Sequence, residues 1–133
     1  MSSNLDLVRS IYASWERGDW GANDWADPEI EFVIADGPDT RSMHGIEAMA
    51  AEWRRFLEAW SDYAIVADEY RELDAERVLV VLHASGRGKS SGVEIAPGSV
   101  KGANIFHLGE GRVKLLMIFF DLRRALADLG IEE

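Results

Sequence analysis

Between Lys114 and Asp121 the segment GRVKLLMIFFD runs through six consecutive large apolar residues, Leu115 to Phe120. Six residues are too few for a helix and suit a strand. In a strand, Leu116, Ile118 and Phe120 face one way, and Leu115, Met117 and Phe119 the other. Both faces then need cover, in a chain of 133 residues that has room for one core. Whatever fold this sequence adopts must bury that strand on two sides.

Composition narrows the classes. With 47% hydrophobic residues and five Trp the chain is globular and far from disordered. It contains no cysteine, which removes disulfides, a thiol nucleophile and a cysteine-held zinc. The start, MSSNLDLVRS, has neither the basic segment nor the apolar run of a secretory signal. No apolar stretch approaches the roughly 20 residues of a membrane span, so a soluble, cytoplasmic protein is expected. Residues 1–70 hold 15 Asp/Glu against 5 Lys/Arg, and residues 71–133 hold 9 of each, so the net charge of −10 resides in the first half. Such a surface suits neither nucleic acid nor its phosphates. It keeps the protein soluble.

Three helices are legible. Leu5, Val8, Ile11, Tyr12 and Trp15 recur at helical spacing between a start signal at Ser3 and Asp6 and a stop at Gly18. Ile46, Met49, Trp53, Leu57 and Trp60 form a second stripe in HGIEAMAAEWRRFLEAW. Asp121 reads as the N-cap of LRRALADLG, with Leu122, Ala125, Leu126 and Leu129 inward and Gly130 as the stop. A short helical turn around GANDWAD would end at Pro28. Strands are expected at 29–34, where Ile30, Phe32 and Ile34 share a side, at 62–73 and 76–88 joined through Asp74-Ala75, at 92–108 with a bulge at Pro97-Gly98, and at the apolar run. The layout is α+β.

The segments WADPEIEFVIADG, MHGIEAM, DEYRELDAERVLVVLHASGRGKSSGVEI and NIFHLGEGRVKLLMIFFDLRRALADLG span nearly the whole chain. Their order resembles the nuclear-transport-factor-2-like cone fold and, within it, the SnoaL-like, ketosteroid-isomerase-like group. The tail, Gly-Arg-Val followed by an apolar strand and Asp-x-x-x-Ala-Leu-x-x-x-Gly, carries the resemblance most specifically. The resemblance implies a single SnoaL-like domain over residues 1–133. Its fold is a curved antiparallel sheet wrapped around N-terminal helices, forming a cone-shaped pocket (the cystatin-like α+β barrel). It implies activity only broadly, because the group includes isomerases, cyclases, dehydratases and epoxide hydrolases as well as members with no assigned chemistry.

Strand parity then assigns a lining. A hairpin through Gly109–Gly111 pairs Asn104 with Leu116 and turns Asn104, Phe106, Leu108, Leu116, Ile118 and Phe120 inward. Matching the isomerase pattern adds Val78, Val80 and Leu82. Helices and edge strand contribute Tyr12, Trp15, Trp25, Phe32, Met49 and Trp53. The lining is apolar, with Asn104 and the Tyr12 hydroxyl as polar handles, and suits a small flat hydrophobic ligand without a cofactor.

The isomerases that the resemblance brings in use a carboxylate base at a position falling near Ile34 here, and the nearest carboxylate is Asp36. Asp36 in IADGPD is equally a turn residue. The isomerases' oxyanion carboxylate falls at Ala103 or Asn104, and Asn104 has an N–H to donate. The epoxide hydrolases' catalytic carboxylate falls at Ile118, and their Arg and Asp partners match nothing among Val78, Val80 and Leu82, which removes that chemistry. His83 and His107 point away from the pocket by parity, His44 precedes a helix start, and no spacing supports a metal. HASGRGKS misses the first glycine of a phosphate loop, and the strand-like SGVEI follows where a helix is needed.

On the opposite face Leu115, Met117 and Phe119 would lie beside Ile105, Ala103 and Val81. A monomer rarely exposes such a patch. The expected cover is a second copy, in a two-fold homodimer packed through the convex sheet face. Two functional readings stay open. One is an enzyme acting on a small hydrophobic carbonyl or polycyclic compound by enolisation, with Asp36 as base and Asn104 steadying the oxyanion. The other is a non-catalytic ligand-binding or scaffold protein.

Overall fold

The computed structural model describes residues 3–19, 24–36, 40–58, 60–88 and 94–130. In chain order the elements are α1 (Ser3–Glu16), β1 (Ala26–Ile34), β2 (Arg41–His44), α2 (Ile46–Glu58), β3 (Trp60–Glu72), β4 (Arg77–Gly88), β5 (Glu94–Gly109), β6 (Arg112–Phe119) and α3 (Leu122–Leu129). The six strands form one open sheet in the order β2-β1-β6-β5-β4-β3. From β3 to β6 the chain meanders antiparallel. Its last strand returns beside β1 and runs parallel to it, so the sheet is mixed rather than antiparallel throughout. Strand β2, unforeseen because Arg-Ser-Met-His carries no apolar alternation, pairs antiparallel with β1 at the sheet edge.

Several local expectations shift. Trp60 opens β3 instead of closing α2. Pro28 lies inside β1, where the register to β6 shifts between Ala26 and Glu31, rather than ending a helix. Proline has no N–H for a ladder, so such an irregularity is where a strand tolerates it. Of the helical turn expected around GANDWAD, residues 21–23 lie outside the described residues and Ala26 and Asp27 belong to β1; the tip of the β4–β5 connection also lies outside the described residues. The Pro97-Gly98 bulge is present: Ala84 pairs with Val100 and Gly86 with Ile95, so residues 96–99 face a single residue of β4.

The β5–β6 hairpin sets which face the apolar run presents. Its turn is two residues long, and both Glu110 and Gly111 have positive φ, 55° and 75°. That is the mirror-image turn whose twist matches paired strands. It places Gly109 opposite Arg112 and Leu108 opposite Val113. Continued unbroken, that register would turn Leu116 and Ile118 outward, because a one-residue slip exchanges the faces. A bulge leaves Lys114 without a partner in β5, and His107 then pairs with Leu115. Asn104 consequently lies opposite Ile118, and Leu116 opposite Phe106, not opposite Asn104 as the simple hairpin predicts. The expected parity survives. Lys114 reaches across to Asp27 at 2.7 Å, tying the bulge to the start of β1.

On the inner face, Val8, Ile11, Tyr12 and Trp15 of α1 and Met49 of α2 pack with Ile30, Phe32, Val78, Val80, Leu82, Phe106, Leu108 and Leu116 in one core. On the outer face, Ala125 and Leu126 of α3 bury Leu79, Ala103, Ile105 and Phe119 in a second. Asp121 caps α3, accepting from the Arg123 N–H, and Gly130 closes it in the left-handed conformation. The expected second copy would pack on this same outer face. Within this chain α3 covers that face over Phe119, and Leu115 and Met117 stay half-buried.

Candidate functional site

Along the inner face the side chains of β5 shrink from Phe106 through Asn104 to Gly102. The first row is Val78, Phe106 and Leu116, paired across β4, β5 and β6, and all three are buried. Next come Val80, Asn104 and Ile118. Beyond them Leu82 pairs with Gly102, and Ala84 follows. Gly102 has no side chain to fill this level, and Phe120, beyond the last β6 pair, is 41% exposed. The result is a cavity of about 70 Å³ between this end of the sheet and α2. At about 10–15 Å³ per water that is room for roughly five waters.

Its walls are Phe32, Trp53, Phe56, Tyr63, Ile65, Leu82, Ala84, Ile118 and Phe120, with Gly102 and Asn104 at the sheet. The rings brace one another. Phe56 stands edge-on to Tyr63 with centroids 5.0 Å apart, and stacks on Phe120 at 6.3 Å. Trp53 leans on Phe32 at 5.8 Å. Burial pushes the Tyr63 hydroxyl up to about 12.

Besides the Tyr63 hydroxyl, two polar side chains line the cavity. Asn104 is buried, and its amide donates to the Tyr12 hydroxyl. The other is Glu52 on α2, whose side chain is 13% exposed and lies 3.5 Å from the Arg41 guanidinium and 3.4 Å from that of Arg55. Glu52 was not anticipated, because it flanks the apolar stripe instead of interrupting it. The signal was there: position 52 falls three after Met49 and four before Phe56, on the same helix face as both.

The anticipated residues divide. Phe32, Trp53, Leu82, Asn104, Ile118 and Phe120 line the cavity. Tyr12, Trp15, Trp25, Met49, Val80, Phe106 and Leu116 are packed into the core instead. The Tyr12 hydroxyl is therefore spent on Asn104 rather than offered to a ligand, and burial, ahead of every other influence, raises it well above the usual tyrosine value. Asp36 is buried at the far end of β1 and does not line the cavity. Its carboxylate accepts the Phe120 N–H at 2.7 Å and the Asp121 N–H at 3.0 Å. It takes over from the backbone ladder where β6 ends, and turns the chain into α3. Residues 37–39 of the local turn expected in IADGPD lie outside the described residues, and the bonds Asp36 makes run to the end of β6. His83 points outward and bonds Asp68 at 2.9 Å, and His44 meets Glu29 at 3.2 Å. Among the described residues no group of three or more His, Asp or Glu is placed to hold a metal. No described helix is long and apolar enough to cross a membrane.

A family model for the SnoaL-like domain matches residues 8–116. The chain belongs to the SnoaL-like family. Solved structures agree on the fold. An NTF2-like protein of unknown function from Burkholderia pseudomallei superposes with a TM-score of 0.78 at 22% identity, over 96% of this chain and 97% of that one. A protein from Jannaschia named as a SnoaL-like polyketide cyclase gives 0.75 at 18% identity, over 98% and 94%. TerC, co-crystallised with polyporic acid, gives 0.75 at 17% identity, over 96% and 98%. No curated protein matches in sequence. At these identities the structural likeness fixes the SnoaL-like fold, cystatin-like in its α+β layout, and leaves the chemistry to the cavity itself.

Proposed function

We propose that this SnoaL-like protein binds a small, flat, largely apolar molecule carrying one or two oxygen functions, and holds it without converting it. The observation that carries this reading is the cavity's polar inventory. Aromatic and aliphatic side chains make the walls, Asn104 supplies an amide and Tyr63 a hydroxyl. Among the described residues the one lining carboxylate, Glu52, lies beside two arginines, with no lining histidine or second carboxylate to complete an acid–base pair. Asp36, the carboxylate nearest the isomerases' base, is committed to two backbone N–H groups. A general base must reach the proton it abstracts. The neighbour crystallised with polyporic acid and the neighbour named as a polyketide cyclase support an oxygenated ring compound as the ligand class.

The second reading, enolisation of a hydrophobic carbonyl compound, draws on the buried Asn104–Tyr12 pair, which resembles an oxyanion-stabilising donor pair. The two separate cleanly. A two-ring β,γ-unsaturated ketone is incubated with wild type and with Asp36→Asn, following ketone binding by tryptophan fluorescence and conjugation by ultraviolet absorbance. Binding without turnover in either protein is the expected result. Turnover by wild type that vanishes in a folded Asp36→Asn would overturn the binding reading.

A further inference from the structure

We infer that Glu52 selects the ligand, and that the class selected is an aromatic compound bearing a hydroxyl, a phenol or enol, whose proton is donated to the Glu52 carboxylate. This rests on the binding reading above. Glu52 lines the cavity from α2 with Trp53 and, one turn on, Phe56. An ionised carboxylate only accepts hydrogen bonds, at about four lone-pair positions on two oxygens. Its contacts to Arg41 and Arg55 lie at 3.4–3.5 Å. That is beyond the roughly 2.9 Å of a well-formed N–H···O bond. The two guanidiniums thus offset its charge without saturating its oxygens.

The rest of the lining is apolar apart from Asn104 and the Tyr63 hydroxyl. A ligand that enters must displace the water around Glu52. One with a hydroxyl replaces that water by a short charge-assisted O–H···O bond. One of the same shape without the proton leaves a desolvated carboxylate against carbon, the arrangement by which a built polar site rejects an analogue. Ring stacking on Trp53 and Phe32 serves both ligands equally and so contributes affinity without choice.

The test compares 2-naphthol with 2-methoxynaphthalene by calorimetry on wild type and Glu52→Gln. Wild type is expected to bind the naphthol about tenfold more tightly or better. In Glu52→Gln, isosteric but uncharged, that preference should shrink to about threefold or less. Equal affinity of wild type for the two probes overturns the inference and leaves the binding reading standing. An undiminished preference in Glu52→Gln overturns Glu52 as the selecting group. Failure of both probes to bind overturns the binding reading itself, and this inference with it. Should Glu52→Gln not fold, the wild-type pair still decides, and Glu52→Asp, which withdraws the carboxylate by one methylene, is expected to weaken the naphthol more than the ether.

Discussion

The two ends of the inner face are built from the same strands and do opposite things. At the closed end Val78, Phe106 and Leu116 meet Tyr12 and Trp15 of α1 and leave no space. At the open end the same three strands offer Ala84, Gly102 and a half-turned-out Phe120, and α2 brings Trp53 and Phe56 over a gap. Secondary structure does not distinguish the two ends; side-chain volume does. A close-packed interior answers every removed methylene, so a cavity persists only where the surrounding backbone is fixed by something else. Here the fixing groups are the Asp36 carboxylate at the end of β6 and the close approach of β5 to β6 at Gly102.

This contrast is open to attack at each end. The largest effect is expected from Phe106→Ala at the closed end, which should cost about 3–5 kcal/mol in urea unfolding because the site cannot collapse. A loss below about 1 kcal/mol would mean that the closed end is loosely packed. Gly102→Ala comes next. A Cβ there would sit 2.7 Å from the Phe119 carbonyl oxygen, a backbone atom that cannot swing aside. The expected cost is about 1–3 kcal/mol, and the displaced β6 should also weaken ligand binding. Phe56→Ala, at the open end, should cost only about 1 kcal/mol in stability while lowering affinity for a two-ring aromatic more than tenfold. If it destabilises as much as Phe106→Ala, the supposed wall is core.

The mildest probe is alkaline titration of the two tyrosines. Burial raises both hydroxyls, Tyr12 well above the usual value and Tyr63 to about 12. A group whose folded value is raised contributes stability that is complete below the unfolded value, near 10, and lost as pH rises through the folded one. Ultraviolet absorbance should show Tyr12 and Tyr63 ionising later than free tyrosine, as should Tyr70, which partial burial also raises, with unfolding on the same alkaline limb. Ionisation of Tyr63 at the free value would mean that the open end is wetter than described.

Much of this was legible in the sequence because it depends on period. The apolar run from Leu115 to Phe120 announces a doubly covered strand, and the stripe of Val8, Ile11, Tyr12 and Trp15 announces the helix that covers it. The capping pair Asp121 and Gly130 announces α3. What period cannot convey is which covered residue touches space. Tyr12, Trp15 and Phe106 differ from Trp53 and Phe120 only in how far along the sheet they sit, and that distance depends on the Lys114 bulge and on small residues at 84 and 102. Nor could parity show that α3 would pack on the outer face of the sheet, against Leu79, Ala103, Ile105 and Phe119. Asp36 illustrates the same limit. Its type and turn context were plain, but its two N–H partners, 84 and 85 residues away, were not.

The most direct test of the open cavity is a crystal structure of the protein grown with 2-naphthol. The account predicts ring density between Trp53, Phe56 and Leu82, with the oxygen turned toward Glu52 and the closed end unchanged. A structure in which Trp53 and Phe56 have fallen inward to meet Ala84, leaving no room for the ring, would contradict it.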